Sequence, residues 1–280
     1  MHRNSLYHSI ILAIGGLCLA YAGLLIFAYL FASKVIFPAP HASYKDGPEI
    51  IWLKLPDGSP VAARYWPCEG ATYTVIYSHG NGEDLGMVAN RLADCASHGY
   101  NLLSYDYPGY GLSEGPASEQ RSYEAIRAVY NYARTQLEVP PEQIVIYGYS
   151  VGGGPAVELA TEVPAHALII ESTFTSSFRV MTQIKIIPWD MFDNLSKIQK
   201  IKCPVLIIHG TQDQIVPFWH AKALFKAAHE PKAYLWIKGA GHFNTLQMGG
   251  EPYWQALKEF LDYTPNQPSH ESQNSPHHSS

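Results

Sequence analysis

Residues 143 to 162 read QIVIYGYSVGGGPAVELATE, and the order of events in this stretch decides the fold. An apolar run, IVIY, leads into Gly148. Ser150 follows, three glycines come after it, and a helix-forming segment departs. A strand entering a sharp turn and a helix leaving it is the setting in which G-x-S-x-G holds a serine above the edge of a sheet. Gly148 and Gly152 admit the close backbone approach that such a turn needs. Pro155 is tolerated because it falls in the first turn of the predicted helix. The same letters also occur in GYGLSEGP, residues 109 to 116, through Gly111, Ser113 and Gly115. With glycine at about 7% of residues, two such glycines flank a given serine by chance about once in 200, so context has to separate the two. No strand runs directly into Ser113: the apolar run before it ends near Asp106, YPGYG intervenes and Pro116 follows. GLSEG is therefore expected to be a glycine-rich surface loop, and Ser150 the nucleophile.

On either side of the elbow the chain alternates short apolar runs with helical patterns. EIIWLKL and PVAARYW flank the turn PDGS and read as an antiparallel hairpin. The runs TVIYSHG, NLLSYDY, QIVIYG, ALIIES, PVLIIHG and AYLWIKG are nearly continuously apolar, as strands covered on both faces of a parallel sheet must be. In SEQRSYEAIRAVYNYARTQL the positions Tyr123, Ile126, Tyr130, Ala133 and Leu137 recur at three and four and give one apolar stripe, with Ser118 as its N-cap. Alternation of this kind predicts an α/β fold with a mostly parallel central sheet and helices on both faces.

A serine hydroxyl attacks only when a base takes its proton and a third group orients that base. In this fold the chain order is Ser, acid, His. His242 in KGAGHFN follows the last predicted strand, and Gly239 and Gly241 make a loop able to deliver the ring. His209 ends an apolar strand and reads as a core residue, whereas His220 and His229 in WHAKALFKAAHE read as a solvated face. For the acid, Asp213 in HGTQDQIVP lies just past PVLIIHG, at the sheet edge where open α/β folds bind ligands. Asp190 and Asp193, in PWDMFDN, follow no strand and read as helix caps. Two backbone N–H groups are expected to hold the oxyanion: that of Val151, next to the nucleophile, and that of Asn81 in the glycine-rich HGNG loop.

The ends of the chain differ from its middle. Nothing from Ser9 to Ser33 is charged, and IILAIGGLCLAYAGLLIFAYLFA is long enough at 1.5 Å per residue to cross about 30 Å of hydrocarbon. Residues 1–37 are therefore expected to be a single-pass membrane anchor. A cleaved signal peptide is the competing reading, since Ala20-Tyr21-Ala22 resembles a cleavage site. Arg3 on one side and Lys34 and Lys45 on the other leave the membrane side undecided. Residues 264–280 are polar and punctuated by proline, which predicts a disordered tail. Between them, 38–263 is long and apolar enough, in a chain that is 47% hydrophobic, for one large domain. A formal net charge of -5 and the lack of any Lys/Arg run exclude a nucleic-acid partner. The four cysteines Cys18, Cys68, Cys95 and Cys203 contain no C-x-x-C pair, which suggests neither a disulfide framework nor a zinc site. With no H-E-x-x-H and no phosphate-binding loop, no cofactor or metal is expected.

VIFPAP, HGNGED, YDYPGYGLSEG, GYSVGGGPA, ESTFTS, PVLIIHGTQDQIVP and GAGHFN together resemble the α/β-hydrolases, and within them the Bem46-like membrane-anchored group, from about Val35 to Tyr263. The resemblance implies a serine hydrolase with Ser150 as nucleophile, Asp213 as orienting acid and His242 as base. It also implies that YDYPGYGLSEG is a loop without a catalytic serine. Some members of the group remove acyl chains from membrane proteins as thioesterases; those carry a cysteine-rich N-terminus, where this chain has a hydrophobic span. Residues 173–202 occupy the usual place of a lid, and FRVMTQIKIIPWDMF is apolar enough to line an acyl pocket. The expected activity is cleavage of carboxylic esters or thioesters through an acyl-enzyme, with a lipid or acylated protein as substrate. The alternatives are a peptidase using the same three residues and a non-catalytic binding module of the same fold.

Overall fold

A computed structural model describes residues 2–262. Tyr263 and the tail expected over 264–280, with His270, His277 and His278, lie outside the described residues. Eight strands form one sheet: β1 (Ile50–Lys54), β2 (Pro60–Trp66), β3 (Thr74–Ser78), β4 (Asn101–Tyr105), β5 (Ile144–Tyr149), β6 (Ala167–Glu171), β7 (Val205–Gly210) and β8 (Lys232–Ile237). Their order is β1-β2-β4-β3-β5-β6-β7-β8. β1 and β2 form the antiparallel hairpin and β2 meets β4 antiparallel, while every pairing from β4 to β8 is parallel. The central strands β3, β5, β6 and β7 are buried at every position. That burial is why they read as unbroken apolar runs rather than alternating ones.

The helices are α1 (His2–Ile36), α2 (Leu85–Ser97), α3 (Glu119–Thr135), α4 (Gly153–Glu162), α5 (Ser177–Thr182), α6 (Asn194–Lys197), α7 (Trp219–Ala227) and α8 (Thr245–Leu261). One face of the sheet packs on α3, α4, α6 and α7 and the other on α2 and α8, giving two apolar cores. Ser118 caps α3, its hydroxyl accepting from the Arg121 N–H at 3.3 Å, and Tyr123, Ile126, Tyr130 and Ala133 are buried as the stripe predicts. Asp193 accepts from Ser196 N–H at the start of α6. Asp190 instead accepts from the N–H groups of Phe178 and Met191, fastening α5 to the residues after it.

Helix α1 is apolar over Tyr7–Ile36, with a mean hydropathy of 2.5, and is long enough to cross a membrane. Phe37, which follows it, is buried and meets Tyr107, Tyr110 and Phe192 edge-on at centroid distances of 6.4, 6.3 and 5.8 Å. The helix therefore enters the globular part through an aromatic cluster.

Two expectations are corrected. The loop around Ser113 reaches the surface at Glu114, Gly115 and Pro116, but Ser113 itself is buried, as are Tyr107 and Tyr110 before it. Burial follows from aromatic side chains folding under the loop while its glycines make the turns. His220 does not lie on a solvated face of α7 but is fully buried, because α7 turns it toward Thr175 in the segment between β6 and α5, where its Nδ1 accepts the Thr175 N–H at 3.1 Å.

Candidate active site

β5 ends at Tyr149 and Ser150 opens a short 3-10 turn that runs into α4. Ser150 has φ of 53°, a left-handed conformation costing a non-glycine residue on the order of 1–3 kcal/mol. The surroundings enforce it. A side chain at Gly148 would place its Cβ 2.4 Å from Gly152 O, and one at Gly152 would lie 2.1 Å from Ser78 O. The turn therefore sits directly against the end of β3 and could not close with larger residues. Thr173, just after β6, locks it by donating its hydroxyl to Ser150 O at 2.7 Å.

Two loops bring their side chains to this serine. The loop after β8 carries His242, whose Nε2 lies 2.9 Å from Ser150 Oγ and whose Nδ1 lies 2.7 Å from Asp213 Oδ2. The loop after β7 carries Asp213, whose Oδ1 accepts the N–H groups of Ile215 and Val216 at 2.9 and 2.8 Å. A carboxylate only accepts, so Nδ1 carries the proton and Nε2 is the acceptor for the serine O–H. Burial alone would raise the Asp213 carboxyl. The hydrogen bond and charge of His242, the Val216 N–H and His209 outweigh it and hold the group below its usual range. The two loops are tied together where Gln212 N–H donates to Ala240 O at 2.9 Å. His209, the buried core residue expected, gives its Nε2 to Val216 O at 2.8 Å and stands 3.3 Å from Asp213.

Ser113 is elsewhere. Its hydroxyl accepts from Ala62 N–H at 2.9 Å and donates to Asp106 O at 3.1 Å, stitching its loop to β2. Asn81 lies in the loop between β3 and α2, with its side-chain oxygen held by the Tyr110 hydroxyl at 2.9 Å. Val151 directly follows Ser150 and is buried.

The chain and its fold are similar to those of known proteins. A model of the alpha/beta hydrolase fold matches residues 73–191, and a model of the X-Pro dipeptidyl-peptidase S15 family matches residues 185–244. Alpha/beta hydrolase domain-containing protein 17B of Homo sapiens is 39% identical over 221 residues, which is 78% of this chain and 76% of that protein. The chain belongs to the α/β-hydrolase family. Alpha/beta hydrolase domain-containing protein 17C of Mus musculus is 35% identical over 222 residues, covering 78% of this chain and 69% of its own. The solved Pyrococcus furiosus esterase Pf2001 superposes with a TM-score of 0.66 at 19% identity, over 80% of this chain and 95% of that one, and shares the fold.

In this α/β-hydrolase, sequence patterns missed the side chains that hold the loops around Ser150 in place. Tyr107 donates to His79 O at 2.7 Å, so that it and Tyr110 fix the HGNG loop from beneath. The signal was available: two tyrosines inside a Gly/Pro loop are bulkier than a surface turn needs. Glu171 is the second case. It is buried at the end of β6 and accepts the hydroxyls of Tyr147, Thr245 and Tyr253, the last at 3.2 Å. Thr245 begins α8, three residues after His242, and the Tyr149 hydroxyl donates to His242 O at 2.9 Å. The His242 loop is thus pinned on both sides. A lone carboxylate closing the apolar run ALIIE was the visible clue. Among the described residues no group of three or more His, Cys, Asp and Glu side chains is arranged to hold a metal ion.

Proposed function

We propose that this α/β-hydrolase is a membrane-anchored serine hydrolase that cleaves carboxylic esters or thioesters of acyl groups. The observation that carries the reading is the unbroken hydrogen-bonded series from Ser150 Oγ through His242 to Asp213. Ser150 Oγ attacks the acyl carbonyl as His242 Nε2 takes its proton, and Asp213 stabilises the resulting imidazolium. The N–H groups of Val151 and Asn81 receive the oxyanion, a contribution worth about 3 kcal/mol of barrier. His242 then protonates the leaving alcohol or thiol, and a water activated by the same ring releases the acid.

The division of the chain into an anchor over 1–37, a hydrolase domain over 38–263 with its lid-like insertion at 173–202, and a tail over 264–280 is part of the same proposal. An acyl substrate is supported by exposed apolar side chains. Phe243 beside His242 is 75% exposed, and the insertion exposes Met181, Ile184 and Ile186. Three exposed apolar side chains close together in one short insertion favour contact with another apolar body. The insertion also touches α1, whose Tyr21 hydroxyl donates to Ile186 O at 2.8 Å.

A peptidase reading uses the same three residues and is favoured by the S15 match, which spans Asp213 and His242. Fluorophosphonate labelling of the unsubstituted chain, Ser150→Ala and Ser113→Ala tests the nucleophile, and nitrophenyl esters, acyl thioesters and X-Pro amides then rank the leaving groups. Labelling is expected to vanish only in Ser150→Ala. A folded chain that never labels would make it a binding module, and turnover of amides alone would make it a peptidase.

A further inference from the structure

A cavity of about 530 Å³, separate from the catalytic cleft, lies between the sheet and helices α2 and α8. Its volume is that of a small-molecule site. Tyr149 and Glu171 line one end, and Tyr100, just before β4, lines the other. Asn101 and Ile144 both face Thr74 across the sheet. Tyr100 is therefore level with Gln143, six residues below Tyr149, and at the rise of a strand the cavity is about 20 Å long. So much length in so little volume leaves a narrow channel.

The helix above it explains the opening. α8 breaks at Gly250, with φ of 52° and ψ of -143°, and Pro252 follows. Gly250 lines the channel, so the break leaves a gap where an unbroken helix would pack. The walls are Val75, Leu102, Ile169, Leu257 and Leu261. Of the polar neighbours, Glu171 is engaged by three hydroxyls, Tyr149 by His242 O, and Arg91 by Glu83 at 2.6 Å, its guanidinium lying over the Tyr77 and Tyr149 rings with Nε left without a partner, while Asn90, Asp94 and Gln247 line the channel as exposed residues. A ligand in the buried part of the channel meets apolar walls and, apart from Arg91 Nε, polar groups that already have partners, conditions that favour an uncharged, unbranched chain. Phe243 and Thr245 line the upper end, so that end abuts the residues flanking both Ser150 and His242.

We propose that this channel holds one unbranched acyl or alkyl chain, its head end beneath the His242 loop. The chain is either the tail of the substrate or a free lipid chain, and only the first of these rests on the acyl-hydrolase reading.

The test is calorimetric titration with 1-decanol, which is uncharged and cannot be hydrolysed, on protein whose Ser150 already carries the phosphonate. Cys95→Phe from α2 and Leu257→Trp from α8 fill the channel from opposite walls, and thermal melting reports folding in each. Decanol is expected to bind the unsubstituted chain and to bind both folded variants about tenfold more weakly or worse. Equal affinity in both folded variants would overturn the proposal, as would loss of binding on phosphonylation, since decanol would then occupy the catalytic cleft. The ratio of nitrophenyl dodecanoate to butyrate turnover separates the sources: it falls in the variants if the chain is the substrate's tail and stays constant if it is free lipid. Should Ser150 fail to label, the titration is run on the unlabelled chain, and the channel is judged apart from the hydrolase reading.

Discussion

At Asp213 two opposing effects meet, and the balance sets what a substitution does. Burial disfavours the carboxylate, while His242, two backbone N–H groups and the nearby His209 favour it. Asp213→Asn keeps the shape but supplies an amide N–H toward His242 Nδ1, so the ring presents a proton to Ser150 instead of accepting one. We expect kcat for ester hydrolysis to fall by about 10³ to 10⁴ with the melting temperature little changed; steady-state kinetics beside thermal melting checks it, and a merely fewfold loss would remove Asp213 from the mechanism. His220 gives a prediction on stability. Burial, helped by His209 and Arg179, pushes its imidazole down to about 3. Its Nδ1 is already occupied as an acceptor of the Thr175 N–H, so protonation would break that bond. The unfolded chain binds this proton near pH 6.5 and the folded chain does not, so stability is fully present above pH 6.5 and drains as pH falls toward 3. His220→Gln is expected to flatten the fall in urea midpoint between pH 6.5 and 4 relative to the parent, and an unchanged slope would assign the acid sensitivity to other groups.

The elements were more legible than their attachments. The central parallel strands β3, β5, β6 and β7 were visible as apolar runs because burial on both faces removes the need for polar residues, and the elbow was visible because a Cβ at 148 or 152 would come within 2.4 or 2.1 Å of a backbone oxygen, which forces glycine there. The order Ser150, Asp213, His242 could be read because each sits at the end of a strand, and the geometry brings these three together. What sequence concealed was side-chain reach across the fold. Nothing local in YPGYG says that Tyr107 and Tyr110 turn inward to hold the HGNG loop, and nothing local in α7 says that His220 finds Thr175, 45 positions away. Glu171 is the sharpest example, since its three hydroxyl partners come from β5 and from two turns of α8. Glu171→Gln leaves one accepting oxygen and sets an N–H₂ among hydroxyl donors. The expected cost is about 1–3 kcal/mol of stability. Because Thr245 then releases one side of the His242 loop, kcat should drop more than KM changes. Unaltered kcat in a destabilised protein would show that Glu171 supports the fold alone.

Across the whole molecule, the length of α1 is the quantity to explain. Its 35 residues measure about 52 Å at helical rise, well beyond the roughly 30 Å of a hydrocarbon core. Exposure divides it. Residues 7–24 are exposed throughout, whereas Leu25 is half-buried, Ala28 is buried, and Phe37 enters the aromatic cluster with Tyr107 and Tyr110. The first portion is free to meet lipid, and the second turns one face, through Leu25 and Ala28, to the globular part and ends one ring away from the tyrosines that support the HGNG loop. Cutting between them should therefore separate the proposed membrane attachment from the proposed catalysis. Deleting residues 2–24 removes the Tyr21 bond to Ile186, an exposed contact worth about 1 kcal/mol, and leaves Ala28 and Phe37 in place. The shortened chain is expected in the soluble fraction, hydrolysing a water-soluble butyrate ester at close to the full-length rate. On a long-chain ester embedded in vesicles its turnover should fall by a factor of 10² or more, about the gain in effective concentration that tethering supplies. Deletion through residue 37 would take the aromatic contact as well and is expected to lower turnover of both esters. If instead the 2–24 deletion alone abolishes butyrate hydrolysis, the exposed half of the helix supports the active site, and its separation from catalysis is wrong.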